Sequence, residues 1–555
     1  MIRLFEQHTI RQAIELDGMW DFTMEGIEKK YRMPVPGCFE QHPDFLQTRG
    51  KGCYTRKISV STPGALRLEF KGVSHTADVY FDGEKIAHHY NAFTPFSAVI
   101  KYAEAGEHEL KVVVDNTFGE HSALHIPNDY YTYGGITRPV SMENIFDVYI
   151  KSVHFTPYKE NNAWKARIEI LVQNLSDKAV TFDLSSSLAS CEMAENAIEL
   201  AADSETAIIF DQSFADIAPW SHKSPQLYML NTVLSMNGLP VDDFIERVGF
   251  RTVEVKGTGI YLNDEKVFLK GFNRHEDYAT VGCAIPLQLM VQDMDLMQDM
   301  GVNALRTCHY PNDERFLDLC DERGILVWEE NHARGLVLED MLNPNFEQQC
   351  EDCIREMIEN HYNHPGIIIW GILNECASET EEGRRMYQKQ YEQIKSMDTS
   401  RPTTSATCRH FKDICLDLPD IVSFNMYSGW YQDVDIAERN QQEIDWIQEV
   451  GGAGKPIIVS ELGAAAIYGY RDRSRCKWSE ERQADLIRDN LNVYMNDENI
   501  TGVFIWQFAD CRVTEEGGWF ATRARCHNNK GVVDEYRRPK MAYDVIKEIF
   551  EKDQR

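Results

Sequence analysis

Two glutamates in the C-terminal half of the chain each end a run of residues too apolar for a surface segment. Glu375 closes Ile367-Ile368-Ile369-Trp370-Gly371-Ile372-Leu373-Asn374, and Glu461 follows Ile457-Ile458-Val459-Ser460. A short, unbroken apolar run reads as a strand buried on both faces. A carboxylate at the end of such a strand is partly desolvated, which raises its pKa toward what a general acid needs. One such carboxylate is weak evidence, because strand-end acids also cap helices and pair with arginines. Two of them facing each other at about 5 Å would be equipped for retaining glycoside hydrolysis, one as acid and one as nucleophile. Sequence alone leaves their separation open.

The elements that must position this pair come next. From about residue 253, strand-like runs occur at 267–275, 304–310, 324–330, 366–375, 403–407, 421–427, 456–463 and 502–510. Between most of them lie stretches whose apolar residues recur near every 3.6 positions, such as 287–300, 346–362 and 480–496. Eight parallel strands with crossover helices predict a (β/α)8 TIM barrel, with functional residues at the C-terminal strand ends. Strands four and seven lie on roughly opposite sides, so Glu375 and Glu461 would face each other across the mouth. The other run ends bring Asn273-Arg274-His275-Glu276, Arg306-Thr307-Cys308-His309, Glu329-Glu330, Asn425-Met426-Tyr427 and Trp506-Gln507-Phe508 to the same rim. Trp506 would stack on a sugar or shape its pocket, although a strand-end Trp is as often core. His275 would bond a ring hydroxyl or act as a satisfied structural histidine. Glu329 and Glu330 would tune the charge of the site or pair with Arg306. These histidines and acids show no metal-ligand spacing, and no cofactor is expected.

A chain of 555 residues is too long for one core, and the upstream part reads as all-β. Runs such as Leu66–Phe70, Ala77–Phe81 and Val112–Asp115, with Asp82-Gly83 as a turn signal, predict a jelly-roll sandwich over 1–145. Ala166–Val172 and Leu227–Leu230 belong to a second set of strands, which predicts an immunoglobulin-like sandwich over 146–252. The barrel then takes 253–555. A formal net charge of −31 argues against nucleic acid and against an anionic membrane surface. It also means that an anionic substrate needs a specific local cation. No stretch is apolar for long enough to span a bilayer, and Met1–His8 has no apolar signal core, so a reducing cytoplasm is expected and the 14 cysteines are read as thiols. Cys350 and Cys353 form a CxxC, but no second CxxC accompanies it.

The whole layout resembles glycoside hydrolase family 2. The resemblance rests on Tyr133-Gly134-Gly135-Ile136-Thr137-Arg138-Pro139-Val140, Gly249-Phe250-Arg251, Lys270-Gly271-Phe272-Asn273-Arg274-His275-Glu276-Asp277, Asn363-His364-Pro365 and Trp370–Glu375. It implies a sugar-binding-like jelly roll, an immunoglobulin-like sandwich and a catalytic barrel, usually in a homo-oligomer. It further implies that Glu375 is the acid/base, that Glu461 is the nucleophile, and that Asn374 bonds the sugar 2-hydroxyl. Asn425-Met426-Tyr427-Ser428-Gly429-Trp430-Tyr431 looks like the corresponding β-glucuronidase segment, which brings Asn425, Tyr427 and Tyr431 to the site. Asn528-Asn529-Lys530-Gly531 resembles the Asn-x-Lys motif with which β-glucuronidases grip the C6 carboxylate, and it precedes Arg537-Arg538-Pro539-Lys540 as in that family. An ammonium and an amide can both donate to one carboxylate, and charge-assisted bonds are the strong ones. Asp129 looks like the family aspartate that reaches from the jelly roll to the sugar 4-hydroxyl.

The bland readings stand beside these. Asn528–Gly531 alone is a surface turn, and Asp129 alone a solvated turn residue. One departure matters: Asn331-His332-Ala333-Arg334-Gly335 follows the third strand where glucuronidases show a small or apolar run. Arg334 is either a solvated loop residue or a contact to the sugar carboxylate or 4-hydroxyl, which opens the C4 epimer. A β-glucuronide is favoured as substrate, with a β-galacturonide as the alternative. The segment between strands three and four is short, so a long aglycone-covering loop is not expected, and small conjugates and oligosaccharide ends would both have access. A family 2 β-galactosidase or β-mannosidase would not require Asn528 and Lys530. A non-catalytic sugar-binding protein would not require both glutamates.

Overall fold

A strand with one apolar face needs a second sheet to cover it, and the upstream part of the chain builds two such pairs. In the computed structural model, which describes residues 2–515, 518, 523–553 and 555, a four-stranded antiparallel sheet has the order Gln12–Glu15, Val140–Ile145, Gly64–Phe70, Phe96–Ala103. A six-stranded sheet has the order Tyr31–Val35, Gly18–Met24, Lys51–Val60, Gly106–Asp115, Thr76–Phe81, Glu84–Tyr90. Trp20, Phe22, Tyr54, Leu66, Leu68, Phe70 and Val112 fill the core between them. The second sandwich pairs three strands (Val148–Glu160, Ala163–Asn174, Ser204–Phe214) with four (Cys191–Leu200, Val180–Leu188, Tyr228–Met236, Leu239–Val248). In Ala163–Asn174 every second residue is buried, from Trp164 through Ala166, Ile168 and Ile170 to Val172, the period-2 signature of a sheet with one covered face.

Eight parallel strands then close into a barrel. They are β1 (Leu269–Asn273), β2 (Ala304–Arg306), β3 (Leu326–Glu330), β4 (Ile367–Ile372), β5 (Thr403–Thr407), β6 (Val422–Asn425), β7 (Ile457–Leu462) and β8 (Ile500–Ile505). The helices around them are α1 (Leu287–Asp299), α2 (Glu314–Arg323), α3 (Phe346–His361), α4 (Glu381–Met397), α5 (Ile436–Glu449), α6 (Glu480–Tyr494) and α7 (Met541–Lys552). Side chains cap four of these helices: Asp313 starts α2, Thr380 α4, Asp435 α5 and Ser479 α6. Gly324 ends α2 with φ +71, where a Cβ would also meet the His222 carbonyl at 2.5 Å. Trp328, Ile369, Ile458 and Phe504 pack the barrel interior, with Ile260 and Leu262 of a small antiparallel sheet in the same cluster.

Two expectations are adjusted. The helical alternation lapses after β5, where 408–421 form no helix; the segment holds Arg409, His410, Lys412 and Asp413 without a continuous apolar face. Most strands also stop short of the apolar runs, as where β2 ends at Arg306 and β8 at Ile505. Among the described residues no helix is long and apolar enough to cross a membrane.

The jelly roll docks against the barrel through two of the motifs noted above. Arg138 donates to Glu276 at 2.7 Å and to the Pro311 carbonyl at 2.8 Å, and the Tyr133 hydroxyl donates to Asp277 at 2.9 Å. This docking lays the irregular segment 116–134 against the barrel, with Asn128 and Asp129 buried.

Candidate active site

Glu461 stands at the C-terminal end of β7 and is 4% exposed. Its Oε1 accepts from Arg306 Nη1 at 3.0 Å, and its Oε2 from the Tyr427 hydroxyl at 2.5 Å. Burial, followed by the charge of Glu375, pushes its pKa up to about 7, against the pull of Arg306 and Tyr427. Arg306, at the end of β2, is the hub of this side. Its planar fork binds both oxygens of Glu330 (2.9 and 3.0 Å) and also reaches the side-chain oxygens of Asn273 (3.0 Å) and Asn374 (2.8 Å). Of the two acids that end β3, only Glu330 meets Arg306. Glu329 instead accepts from the Asn312 backbone and contacts His361.

Glu375 follows β4 with φ +55, a left-handed conformation that is costly for a non-glycine residue and that concentrates at functional sites. Its Oε1 accepts from Asn425 Nδ2 at 2.9 Å, and its Oε2 lies 3.6 Å from Arg334 Nη2. Asn425 is itself oriented by the Ser460 hydroxyl, which donates to its Oδ1 at 2.7 Å. Asn374 Oδ1 is occupied by Arg306 and Asn425, whereas its Nδ2 has no partner among the described residues. The amide therefore retains a buried donor.

A second cluster gathers opposite charges from widely separated segments. Asp129 from the jelly roll is 2% exposed. Its carboxylate lies 3.2 Å from Arg334 Nη2 and accepts from Arg523 Nη2 at 2.9 Å and Asn528 Nδ2 at 3.1 Å. Burial raises its pKa, but Arg334, Arg523 and Lys530 outweigh it and hold the group down at about 2. Arg334 is no solvated loop residue: its side chain is 14% exposed, and it also donates to Asn128 at 2.7 Å. Lys530 is 1% exposed, so Asn528–Lys530 is not a surface turn. Its ammonium donates to the Tyr431 hydroxyl at 2.8 Å and lies 5.2 and 5.0 Å from the ring centroids of Tyr427 and Tyr431. Among the described residues no carboxylate pairs with it. Burial and then Arg523 lower its pKa.

Trp506 is buried and stacks on His309 at 5.0 Å, with His275 edge-on at 5.4 Å. His275 Nδ1 contacts the Tyr310 hydroxyl and His309 Nδ1 contacts Glu330, while Nε2 of both rings lacks a partner among the described residues. Burial pushes His275 down to about 3, so it stays a neutral ring.

The twelve positions singled out in the sequence thus fall into three groups, one around Glu375 and Glu461, one around Asp129 and Lys530, and Trp506 with His275, with Arg334 contacting the first two. Sequence reasoning missed Arg523 and gave His309 no binding role. Arg523 directly precedes the 3-10 turn Ala524–Cys526, and its only sequence signal is a cation seven residues before Lys530. Among the described residues one group of three side chains has metal-ligand proximity: Asp318, Asp321 and His364, away from this site at the opposite end of β4. Their carboxylates are already engaged by Arg3, Arg247, His364 and the Gly366 backbone. Cys350 and Cys353 are buried along α3.

Comparison with known proteins accords with this geometry. Residues 11–145 match the sugar binding domain of glycosyl hydrolases family 2, 148–251 match the second region of that family, and 253–554 match its TIM barrel domain. A β-glucuronidase of Paenibacillus borealis is 26% identical over 98% of each chain. A putative β-glucuronidase of Formosa agariphila is 27% identical over 91% of this chain, which spans 64% of its length. The crystal structure of a family 2 β-galacturonidase from Eisenbergiella tayi, bound to galacturonate, superposes with a TM-score of 0.97 at 48% identity, covering 100% of this chain and 99% of the other.

Proposed function

The chain belongs to glycoside hydrolase family 2, and we propose that it is a retaining, exo-acting β-uronidase whose preferred substrate is a β-D-galacturonide. The observation that carries the uronide reading is Lys530. A buried cation without a carboxylate partner is costly unless a ligand completes it. A substrate carboxylate, also held by Asn528 and Arg523, would do so in a chain whose average field repels anions. For the C4 epimer, two facts support the galacturonide over the glucuronide that the sequence favoured. Identity is 48% to a galacturonidase against 26% to a glucuronidase. Arg334 adds a buried donor beside Asp129, where the 4-hydroxyl would be read.

In this reading Glu461 attacks the anomeric carbon while Glu375 gives its proton to the departing glycosidic oxygen, leaving a glycosyl ester on Glu461. Glu375, now ionised, takes a proton from water, whose oxygen displaces Glu461 and regenerates both groups with net retention. Arg306 and Tyr427 orient the nucleophile, and the vacant Nδ2 of Asn374 donates to the 2-hydroxyl. The unpaired state of all 14 cysteines supports a cytoplasmic location, and the family resemblance supports a homo-oligomer. The test is a panel of p-nitrophenyl β-galacturonide, β-glucuronide, β-galactoside and β-mannoside. The expected order is galacturonide, then glucuronide, with both neutral sugars far behind. Preference for a neutral sugar overturns the uronide reading, and preference for the glucuronide overturns the C4 assignment.

A further inference from the structure

Arg537-Arg538-Pro539-Lys540 accompanies the Asn528–Lys530 motif in the sequence, yet Lys540 has no place in the reaction above. Its side chain and that of Asp510 are both fully buried and pair at 2.8 Å. Lys540 Nζ also donates to the carbonyls of Ala466 at 2.7 Å and Asn529 at 3.2 Å. Asp510 Oδ1 in turn accepts from the Gly531 amide at 2.9 Å. Asn529 and Gly531 flank Lys530, so one member of the pair holds the peptide group before Lys530 and the other holds the one after it. The Lys530 carbonyl accepts from the Gln507 amide at 3.0 Å, which leaves only the side chain to move. The fit is close: a Cβ on Gly531 would meet the Asp510 nitrogen at 2.2 Å and the Val533 oxygen at 2.4 Å.

We propose that the buried Lys540–Asp510 pair is the positioning element for Lys530, fixing the backbone on both sides of it and so setting where its ammonium stands in the sugar pocket. The proposal rests on the uronide reading only for its kinetic consequence. A second signal is independent of substrate. Tyr431 is 57% exposed, and the partial desolvation that raises its phenol pKa is more than offset by Lys530 and Arg523, which leave it lowered, so its ionisation reports how close the ammonium is.

The experiment compares Lys540→Met and Gly531→Ala with wild type, using Lys530→Ala as the benchmark for loss of the ammonium. Tyr431 ionisation is followed by NMR of 13Cζ-tyrosine, assigned with Tyr431→Phe, and kcat/KM is measured on p-nitrophenyl β-galacturonide and β-galactoside. Misplacing a binding group by about an ångström costs up to roughly a hundredfold. In both variants we expect a roughly ten- to hundredfold loss on the uronide, mainly in KM, with a much smaller loss on the neutral sugar. The Tyr431 ionisation should move up, as in Lys530→Ala. If Tyr431 titrates as in wild type in the variants but moves in Lys530→Ala, the pair merely supports the fold and the proposal falls. If Tyr431 moves in all three while the substrate ratio stays constant, positioning stands and the uronide reading falls. Should Lys540→Met not fold, Gly531→Ala, which pries the same loop from Asp510, carries the comparison.

Discussion

Replacing Glu375 by Gln should do two separable things. The first concerns Glu461, whose pKa is pushed up to about 7 by burial and by the charge of Glu375. Because the value of about 7 includes the charge of Glu375, it belongs to the loss of the last proton from the pair; the active form keeps that proton on Glu375, so kcat/KM of the wild type should fall as pH rises through about 7, with the limb belonging to the free enzyme. Glu375→Gln has no such proton to lose, so this basic limb should vanish. At the separation of about 5 Å that retention requires, two unit charges in an effective dielectric of about 20 repel by about 3 kcal/mol, or roughly two pH units. Arg306 beside Glu461 and Arg334 beside Glu375 already compensate part of this. The first proton of the pair should therefore leave about one to two pH units below the last, and the acid limb that it sets should be nearly the same in Glu375→Gln. The second effect concerns the leaving group. Only a poor one needs a proton, so Glu375→Gln should lose far more activity on an alkyl uronide than on the p-nitrophenyl uronide. Azide should partly rescue the latter by intercepting the glycosyl ester. The assay is kcat/KM against pH for both enzymes on the activated substrate, followed by a leaving-group series at the optimum. A basic limb near pH 7 that persists in Glu375→Gln refutes the assignment of that proton to Glu375. Equal losses on good and poor leaving groups, without azide rescue, refute the acid/base role itself.

A 2-fluoro uronosyl fluoride should label Glu461, as read by peptide mapping; a label elsewhere, or an inverted product by NMR, removes it as nucleophile. Lys530→Ala should cost roughly thirtyfold or more in kcat/KM on uronides, since losing one partner of a buried charged pair costs about 2–5 kcal/mol. The uronide-to-galactoside ratio checks this, and a parallel fall on both substrates contradicts it. Arg334→Ala should lower the ratio of galacturonide to glucuronide turnover; an unchanged ratio means that Arg334 does not read the 4-hydroxyl.

The barrel was legible because its strands are apolar on both faces, and their ends named Glu375, Glu461, Asn425 and Trp506. Thr403–Thr407 was harder, since its polar side chains blur the pattern, and the irregular segment behind it carries no helical period. The hubs of the site were less visible. An arginine on a loop looks solvated in sequence, and Arg334 is paired partly by Asp129 and Asn128, which arrive from another domain. Arg523 belongs to no periodic element at all. His309 was visible as a strand-end residue, but its stacking on Trp506 depends on the closure of β8 against β1, which no local pattern encodes.

The contact between Asp129 and Asn528 joins residues 399 positions apart. During synthesis the sandwich that carries Asp129 can fold long before Asn528 and Lys530 leave the ribosome. Until then Asp129 has neither Arg523 nor Asn528 beside it, and the barrel fragment has no finished mouth. Turnover thus reports the completed docking of the first-made and last-made portions of the chain. A fragment comprising the barrel alone would keep both glutamates and still lack one wall of its sugar pocket.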